Sequence, residues 1–335
     1  MPWIALADTP TPIAELPAPA AFDGRLYVKR EDRTSTRFGG NKVRKFEYLL
    51  ADAERLGAET LVTIGGIGSN QCLAATLHGR ARGHAVELSL MRQPVTDGVR
   101  SAVKGMVAGG ARIRYAGTLV GALVNVRRAL REGRRAGARP YYLPFGATNA
   151  IGALGYVTAG LELAAQVREG VCPPPDCQLV AAGTCGTAAG LLVGTRLAGM
   201  NTRVVAVGVV HPAWLTRVLT LWYANRTAAL LGELDSAMPR MRFGWSDVDV
   251  VGDQLGPGYG HATAAGSRAV RWSQPHLALE TTYTGKALAS LLDPRGPLAR
   301  ARVVLFWDTQ NSSPFPMADT FDPLPERLRE LLARS

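Results

Sequence analysis

Phe38-Gly39-Gly40-Asn41-Lys42-Val43-Arg44-Lys45 offers a lysine from a glycine turn at the start of a helix. The chain has five lysines against 33 arginines, so a reactive amine has few possible positions. Free lysine, with a pKa of about 10.4, is mostly ammonium at neutral pH. Schiff-base chemistry therefore needs burial or a cationic neighbour to release the lone pair. Arg44 and Lys45 are expected to supply positive charge nearby, and Gly39 and Gly40 let a backbone or a flat ligand come close. Taken alone, the stretch reads as an ordinary turn, with Asn41 capping the helix and Lys42 in water. The surrounding chain changes that reading.

Immediately after the lysine, Val43, Phe46, Leu49, Leu50, Ala53 and Leu56 keep helical spacing, and Gly57 ends the helix. Upstream, residues 26–32 read as a strand running into a charged loop. Before them, Pro2, Pro10, Pro12, Pro17 and Pro19 predict an extended arm laid over the surface. Downstream, residues 60–64 form a buried strand broken by Gly65-Gly66-Ile67-Gly68, and Ser69-Asn70-Gln71 opens a helix to about residue 82. Backbone N–H groups at a helix start are unpaired and partly positive, so this junction can hold a carboxylate or phosphate. Residues 86–90, 112–115 and 140–143 read as further strands, separated by helices near 99–108 and 119–136. Such alternation specifies parallel βαβ units. A small α/β domain is expected over 46–147, with 144–149 as the hinge to a large domain made of 1–45 plus 148–335.

The large part repeats the pattern. A glycine- and alanine-rich helix over 151–168 precedes a strand at 178–182, which delivers Gly183-Thr184-Cys185-Gly186-Thr187 to the start of a helix ending at 197. Two hydroxyls and a run of N–H groups fit a phosphate monoester. The loop lacks the Gly-Lys-Ser/Thr ending of a Walker loop, and no G-x-G-x-x-G spacing makes it a dinucleotide fingerprint. The apolar run 204–210 is a central strand, His211 beyond it reads as a polar cap, and 214–241 is helical. Then come Gly258-Tyr259-Gly260, Tyr283-Thr284-Gly285-Lys286 opening a helix that ends near residue 292, and a last strand, 302–306, followed by Trp307-Asp308-Thr309-Gln310-Asn311-Ser312. Ligands in open α/β sheets gather outside the carboxyl ends of strands, where every one of these loops falls.

At 335 residues the chain exceeds one core, which favours two domains around a cleft. The net charge of +11 comes from arginines scattered as singles and pairs, such as Arg80, Arg82, Arg127 and Arg128. That pattern describes a solvated basic surface attractive to small anions; no nucleic acid is expected as partner. Cys72, Cys172, Cys177 and Cys185 suit no common zinc spacing, so no metal is expected, and free thiols in a reducing compartment are the simpler account. The N-terminus lacks a basic region followed by an apolar core, and no apolar run of membrane-spanning length is read. The expectation is a cytoplasmic protein with no membrane partner.

A presented lysine, a phosphate cradle and a carboxylate-binding helix start are the parts of a pyridoxal-phosphate enzyme. With Gly39 to Lys45, Gly68 to Gln71, Gly152 to Tyr156, Gly183 to Thr187, Gly258 to Gly260 and Tyr283 to Lys286 in this order, the chain resembles the fold-type II pyridoxal 5'-phosphate enzymes related to tryptophan synthase β. Among these it is similar to the 1-aminocyclopropane-1-carboxylate deaminase and D-cysteine desulfhydrase family, over nearly its whole length. The resemblance implies an α/β fold of two open parallel-sheet, three-layer domains with the cofactor in the cleft between them, and a homodimer. It also implies roles. Lys42 would hold the cofactor covalently and, once released, shuttle protons. Asn70 would bond the cofactor's phenolic oxygen, and Ser69 with the N–H groups of Asn70 and Gln71 would grip the carboxylate of a small amino-acid substrate. Gly183, Thr184, Cys185, Gly186 and Thr187 would hold the phosphate, and Thr309 would meet the pyridine nitrogen. Tyr259 and Tyr283 would face the substrate as nucleophile, acid or base.

A hydroxyl partner need not keep the pyridine nitrogen protonated, so the ring is a weaker electron sink. That suits loss of a group from Cβ soon after Cα gives up its proton. Ring-opening members carry a glutamate after the tyrosine, where this chain has Thr284, so the resemblance implies α,β-elimination to a 2-oxo acid and ammonia. Ring opening and β-replacement remain the alternatives. The chain leaves the family's pattern at Cys72-Leu73, at Met91-Arg92-Gln93-Pro94 and at Asp308-Thr309-Gln310-Asn311.

Overall fold

The structure is a computed structural model and describes residues 1–333. In chain order, β1 (Ile13–Leu16) and β2 (Arg25–Lys29) precede α1 (Lys42–Arg55). Next come β3 (Thr60–Gly66), α2 (Asn70–Ala81), β4 (Ala85–Met91), α3 (Asp97–Ala108), β5 (Arg112–Gly117), α4 (Leu119–Arg135) and β6 (Pro140–Tyr142). The remainder is α5 (Ala150–Arg168), β7 (Cys177–Ala182), α6 (Gly186–Leu197), β8 (Arg203–Gly208), α7 (Ala213–Leu234), β9 (Val248–Val251), α8 (Ala264–Ser273), α9 (Thr284–Ala289), β10 (Val303–Trp307) and α10 (Glu326–Ala333).

Two sheets result, ordered β1-β2-β10-β7-β8-β9 and β5-β4-β3-β6. Every pairing is parallel except β1 with β2, where Ile13 lies opposite Lys29. The large sheet buries one face against α5, α6 and α7 and the other against α8 and α9, which accounts for the unbroken apolar run of β8. One face of the small sheet packs on α4, and the other meets α1, α2, α3 and α10. The α/β fold of parallel sheets between helical layers is therefore present.

Several local readings change. The N-terminal arm is not only extended chain, because residues 13–16 form an edge strand. A four-residue strand, β9, and the helices α8 and α10 lie where no periodicity was read; each is too short to impose a clear pattern. Helix α7 stops at Leu234 rather than 241. Helix α5 is long and apolar enough to cross a membrane by length and composition, against the expectation of no such run, yet 61% of its apolar window is buried inside the protein. Glycines of α5 and α6 serve close packing: a Cβ at Gly155 of α5 would collide with the Arg44 carbonyl of α1, and one at Gly190 of α6 with the Ala153 carbonyl of α5. All four cysteines are free and buried.

The expectation that Arg44 lends charge to Lys42 fails. Arg44 is buried and faces away into a carboxylate cluster: Nε and Nη2 donate to Glu31 at 2.7 and 2.9 Å, and Nη1 and Nη2 donate to Glu162 at 2.9 Å each. Tyr156 Oη and Thr11 Oγ1 also donate to Glu31, both at 2.8 Å, and Lys29 Nζ donates to Glu162 at 2.5 Å. The cluster ties the N-terminal arm, β2, α1 and α5 together. Removing one partner of a buried ion pair strands the other. Arg44→Leu is therefore expected to lower the unfolding free energy of the cofactor-free protein by about 3–5 kcal/mol in urea. Arg295→Leu, at the exposed Arg295–Asp293 pair, is expected to leave the curve within error. Equal, small effects of the two would refute this account of the cluster.

Candidate active site

The glycine turn before Lys42 is pinned from both sides. Gly40 N donates to Glu31 O at 2.9 Å, Asn41 N to Thr309 O at 3.1 Å, and Gly39 N to Asn311 Oδ1 at 2.5 Å. Gly40 has φ +88°, a conformation that favours glycine, and a Cβ at Gly39 would collide with Asp32 O. Asn41 does not cap α1 through its side chain. Its Nδ2 donates to Thr187 Oγ1 at 3.1 Å and its Oδ1 accepts from Lys42 Nζ at 2.7 Å. The amide thus joins the lysine to the first turn of α6.

Lys42 is the first residue of α1 and faces a cavity of about 200 Å³. Burial lowers its pKa to about 8. Lys45, one turn on, also lines the cavity, with Nζ 3.3 Å from Gly146 O and 3.4 Å from Thr148 Oγ1. Burial, and then the charge of Lys42, push its pKa well below the usual lysine value. The sequence counted Lys45 only as background charge; its spacing from Lys42, about one helical turn, was the available signal for a shared face.

Ser69, Asn70 and Gln71 stand at the β3–α2 junction and line the same cavity. Ser69 Oγ accepts from Cys72 N at 3.3 Å, which caps α2 and leaves the hydroxyl proton to donate elsewhere. The Gln71 carboxamide is fully used: Nε2 donates to Thr63 Oγ1 and Pro144 O at 2.7 Å each, and Oε1 accepts from Gly146 N. Its contribution to a ligand is therefore the backbone N–H.

Across the cavity, Gly183, Thr184, Cys185, Gly186 and Thr187 lead from β7 into α6, with Cys185 left-handed at φ 69°. That turn points the first N–H groups of α6, which have no intrahelical acceptor, at the open space. Thr184 Oγ1 pairs with Thr148 Oγ1 at 2.6 Å. A Cβ at Gly186 would stand 2.6 Å from Thr148 Oγ1 and 3.1 Å from Lys45 Nζ, so the loop backbone lies directly against the ammonium group.

Tyr259 and Tyr283 complete the wall, Tyr283 Oη donating to Tyr259 Oη at 2.9 Å. Burial raises both phenols, Tyr259 to about 12 and Tyr283 well above its usual value, so both are protonated at neutral pH. Lys286 holds the Tyr259 loop by donating to Leu255 O at 2.8 Å and Gly258 O at 3.4 Å. Thr309 lines the cavity just beyond β10. His211, read as a polar cap, also lines it, with its pKa lowered by burial. Glu280 is a wall residue the sequence did not single out; its carboxylate accepts the N–H groups of Thr282, Tyr283 and Thr284 at 2.6, 2.8 and 2.8 Å.

A phosphorylated pyridine aldehyde fits these residues. A buried amine with lowered pKa lies in one cavity with a glycine-threonine helix start backed by a second lysine, which suits a phosphate, and a strand-end hydroxyl is available to a ring nitrogen.

Comparison with known proteins gives the same result. A family model described as pyridoxal-phosphate dependent enzyme matches residues 4–308. D-cysteine desulfhydrase of Salmonella paratyphi A is 32% identical over 304 residues, covering 87% of this chain and 88% of that protein. Its counterpart in Salmonella choleraesuis is 33% identical over 306 residues, with 87% and 88% covered. A crystal structure of a homologue of 1-aminocyclopropane-1-carboxylate deaminase superposes with a TM-score of 0.81 at 27% identity, covering 93% of both chains. A fungal L-serine ammonia-lyase from Rhizomucor miehei shares the fold, at TM-score 0.60 and 16% identity over 99% and 98% of the two chains. With the family model spanning residues 4–308, the protein belongs to the pyridoxal-phosphate-dependent enzymes.

Proposed function

We propose that the enzyme acts on a small amino acid by α,β-elimination, as its relatives' name indicates: D-cysteine and water give pyruvate, ammonia and hydrogen sulfide. The observation that carries this reading is one proton acceptor and two proton donors in a single cavity: Lys42, with pKa about 8, and the protonated Tyr259–Tyr283 pair. Bound pyridoxal phosphate supplies an electron sink for the pair left on Cα. The chain does the rest. Ser69 Oγ and the N–H groups of Asn70 and Gln71 hold the substrate carboxylate. Lys42 Nζ, free of the cofactor, takes the Cα proton, and a tyrosine hydroxyl gives a proton to the departing sulfur. Asn70 would bond the cofactor's phenolic oxygen, residues 183–187 and Lys45 would hold its phosphate, and Thr309 would meet its ring nitrogen. Thr284 supports elimination over ring opening, because its hydroxyl, 3.2 Å from Glu280, cannot serve as a carboxylate would. Ring opening, favoured by the likeness to the deaminase homologue, is the second reading; 1-aminocyclopropane-1-carboxylate turned over faster than D-cysteine would select it.

The same reading makes the enzyme a cytoplasmic homodimer without nucleic-acid or membrane partners. The exposed Trp214 and Trp222 of α7 support a partner subunit, and pairs such as Arg82–Glu54 and Arg203–Asp249 show surface arginines engaged by carboxylates, which favours a solvated surface over a nucleic-acid face. Domains of 1–45 plus 148–335 and of 46–147 are proposed, with α1 running across the first boundary and α10 returning to the small sheet.

Lys42→Ala is expected to abolish both turnover and the visible absorbance gained with pyridoxal phosphate; a coloured, active variant would reject the reading. Because folding lowers the pKa of Lys42, its amine is neutral above about pH 8 and ammonium below. Cofactor uptake by the cofactor-free protein should therefore quicken as pH rises and reach half its limit near 8, and a midpoint beyond 10 counts against a desolvated amine. Tyr283→Phe is expected to lose roughly 10²–10⁴-fold in kcat for D-cysteine while keeping the cofactor's absorbance. Unchanged kcat removes the tyrosine from proton transfer.

A further inference from the structure

Behind the tyrosine pair lies a second cavity of about 240 Å³. Asn70, Tyr259, Glu280, Tyr283 and Gln310 line both spaces and so form the partition between them. Its floor is apolar, with Phe38, Leu73, Val99 and Ala102 all buried, and its mouth lies at the exposed Thr96 and Gly98 that open α3. A group attached to Cβ of an amino acid held at Ser69, and pointed at the tyrosine hydroxyls, faces this partition.

The polar groups around it specify what it accepts. Among the described residues, no lysine, arginine or histidine lines the cavity, and a single carboxylate does. That carboxylate, Glu280, is already taken up by three backbone N–H groups. An anionic substituent finds a like charge and no counter-ion there. Of the cavity's four carboxamides, Asn311 is taken up by Gly39 N, Ser313 N and Ser313 O, and Asn70 is shared with the first cavity, where it is assigned to the cofactor; Gln93 and Gln310 remain. Gln93 Oε1 accepts from Gly68 N at 3.1 Å, which fixes that amide's orientation, and Gln310 Oε1 accepts from Thr284 Oγ1 at 3.3 Å. Among the described residues, neither Nε2 has an acceptor. Both donors are open to the cavity and can serve an acceptor placed in it. Leu73, Gln93, Gln310 and Asn311, drawn from the three stretches at which the sequence leaves the family's pattern, all lie on this cavity.

We propose that the second cavity is the subsite for the Cβ substituent of the substrate, and that it takes a neutral, carbonyl-bearing group such as an amide, carbamate or urea. This deepens the elimination reading and rests on it. D-cysteine then uses only the near side of the partition, and larger neutral substituents use both.

The test compares three alanines substituted at Cβ, each in both enantiomers, with the holoenzyme: β-chloroalanine, O-carbamoylserine and O-phosphoserine. With water, each gives pyruvate, ammonia and the released acid, the substituent leaving with the electron pair of its bond to Cβ. The expected order of kcat/KM is carbamoyl at least tenfold above phospho, with the same order in dissociation constants taken from the change in cofactor absorbance. Ser101→Phe, which fills the cavity from a half-buried wall position, is expected to reduce the ratio of kcat/KM for O-carbamoylserine over β-chloroalanine at least tenfold. Gly98→Leu at the mouth serves if that variant misfolds, because a Cβ there meets nothing nearer than Thr96 Oγ1 at 3.8 Å. An unchanged ratio in a folded variant, or O-phosphoserine preferred by the wild type, overturns the subsite while elimination of β-chloroalanine stands. No turnover and no absorbance change with any of the three brings down the elimination reading and the subsite together.

Discussion

The grip of Glu31 and Glu162 on the Arg44 guanidinium is the constraint from which the site's geometry follows. Arg44 stands two residues beyond Lys42 on the first turn of α1, so fixing its azimuth fixes that of the lysine roughly 200° around the helix. Apolar packing holds a helix to a surface but tolerates sliding and rotation. A two-sided, hydrogen-bonded guanidinium does not, because each displacement of α1 breaks charge-assisted bonds that no water replaces. Glu31 binds again through its backbone, its carbonyl receiving Gly40 N, so one residue orients both the helix and the turn that starts it.

Lysines are treated in two opposite ways within this small region. Burial lowers the pKa of Lys29 too, but there the Glu162 carboxylate opposes the shift, and Gln166 Oε1 and the Thr11 carbonyl also accept from its Nζ. Lys42 and Lys45 receive only neutral oxygens from Asn41, Gly146 and Thr148, and they oppose each other. Glu280, an acid on the wall of the same cavity, has its carboxylate committed to N–H groups. Withholding a counter-ion from the buried amines of Lys42 and Lys45 leaves the lowering of their pKa values unopposed by a carboxylate.

Much of this was legible in the chain. The strand–glycine–helix junctions at 65–71 and 182–187 were readable because their chemistry is local: apolar run, small residues, helix start. The lysine turn was readable from its glycines. What escaped depends on partners distant in sequence. Nothing near Arg44 announces that Glu162, 118 residues away, will claim it, and nothing near Glu280 says that its carboxylate closes a turn beside Tyr283. His211 and Lys45 became wall residues only once the two sheets faced each other. The marginal elements β9, α8 and α10 are held by tertiary packing, which local periodicity does not encode.

Helix α10 lays Leu328 and Leu332 into the same apolar cluster as Leu73, Leu88 and Val103 of the small sheet and its helices. During synthesis the four strands of that sheet leave the ribosome early, yet the last side chains that close one of their faces emerge some 180 residues after β6. Over that interval the nascent small sheet carries an incompletely covered hydrophobic face while the long parallel sheet assembles behind it. Until Leu328 and Leu332 arrive, that face is open to non-native partners.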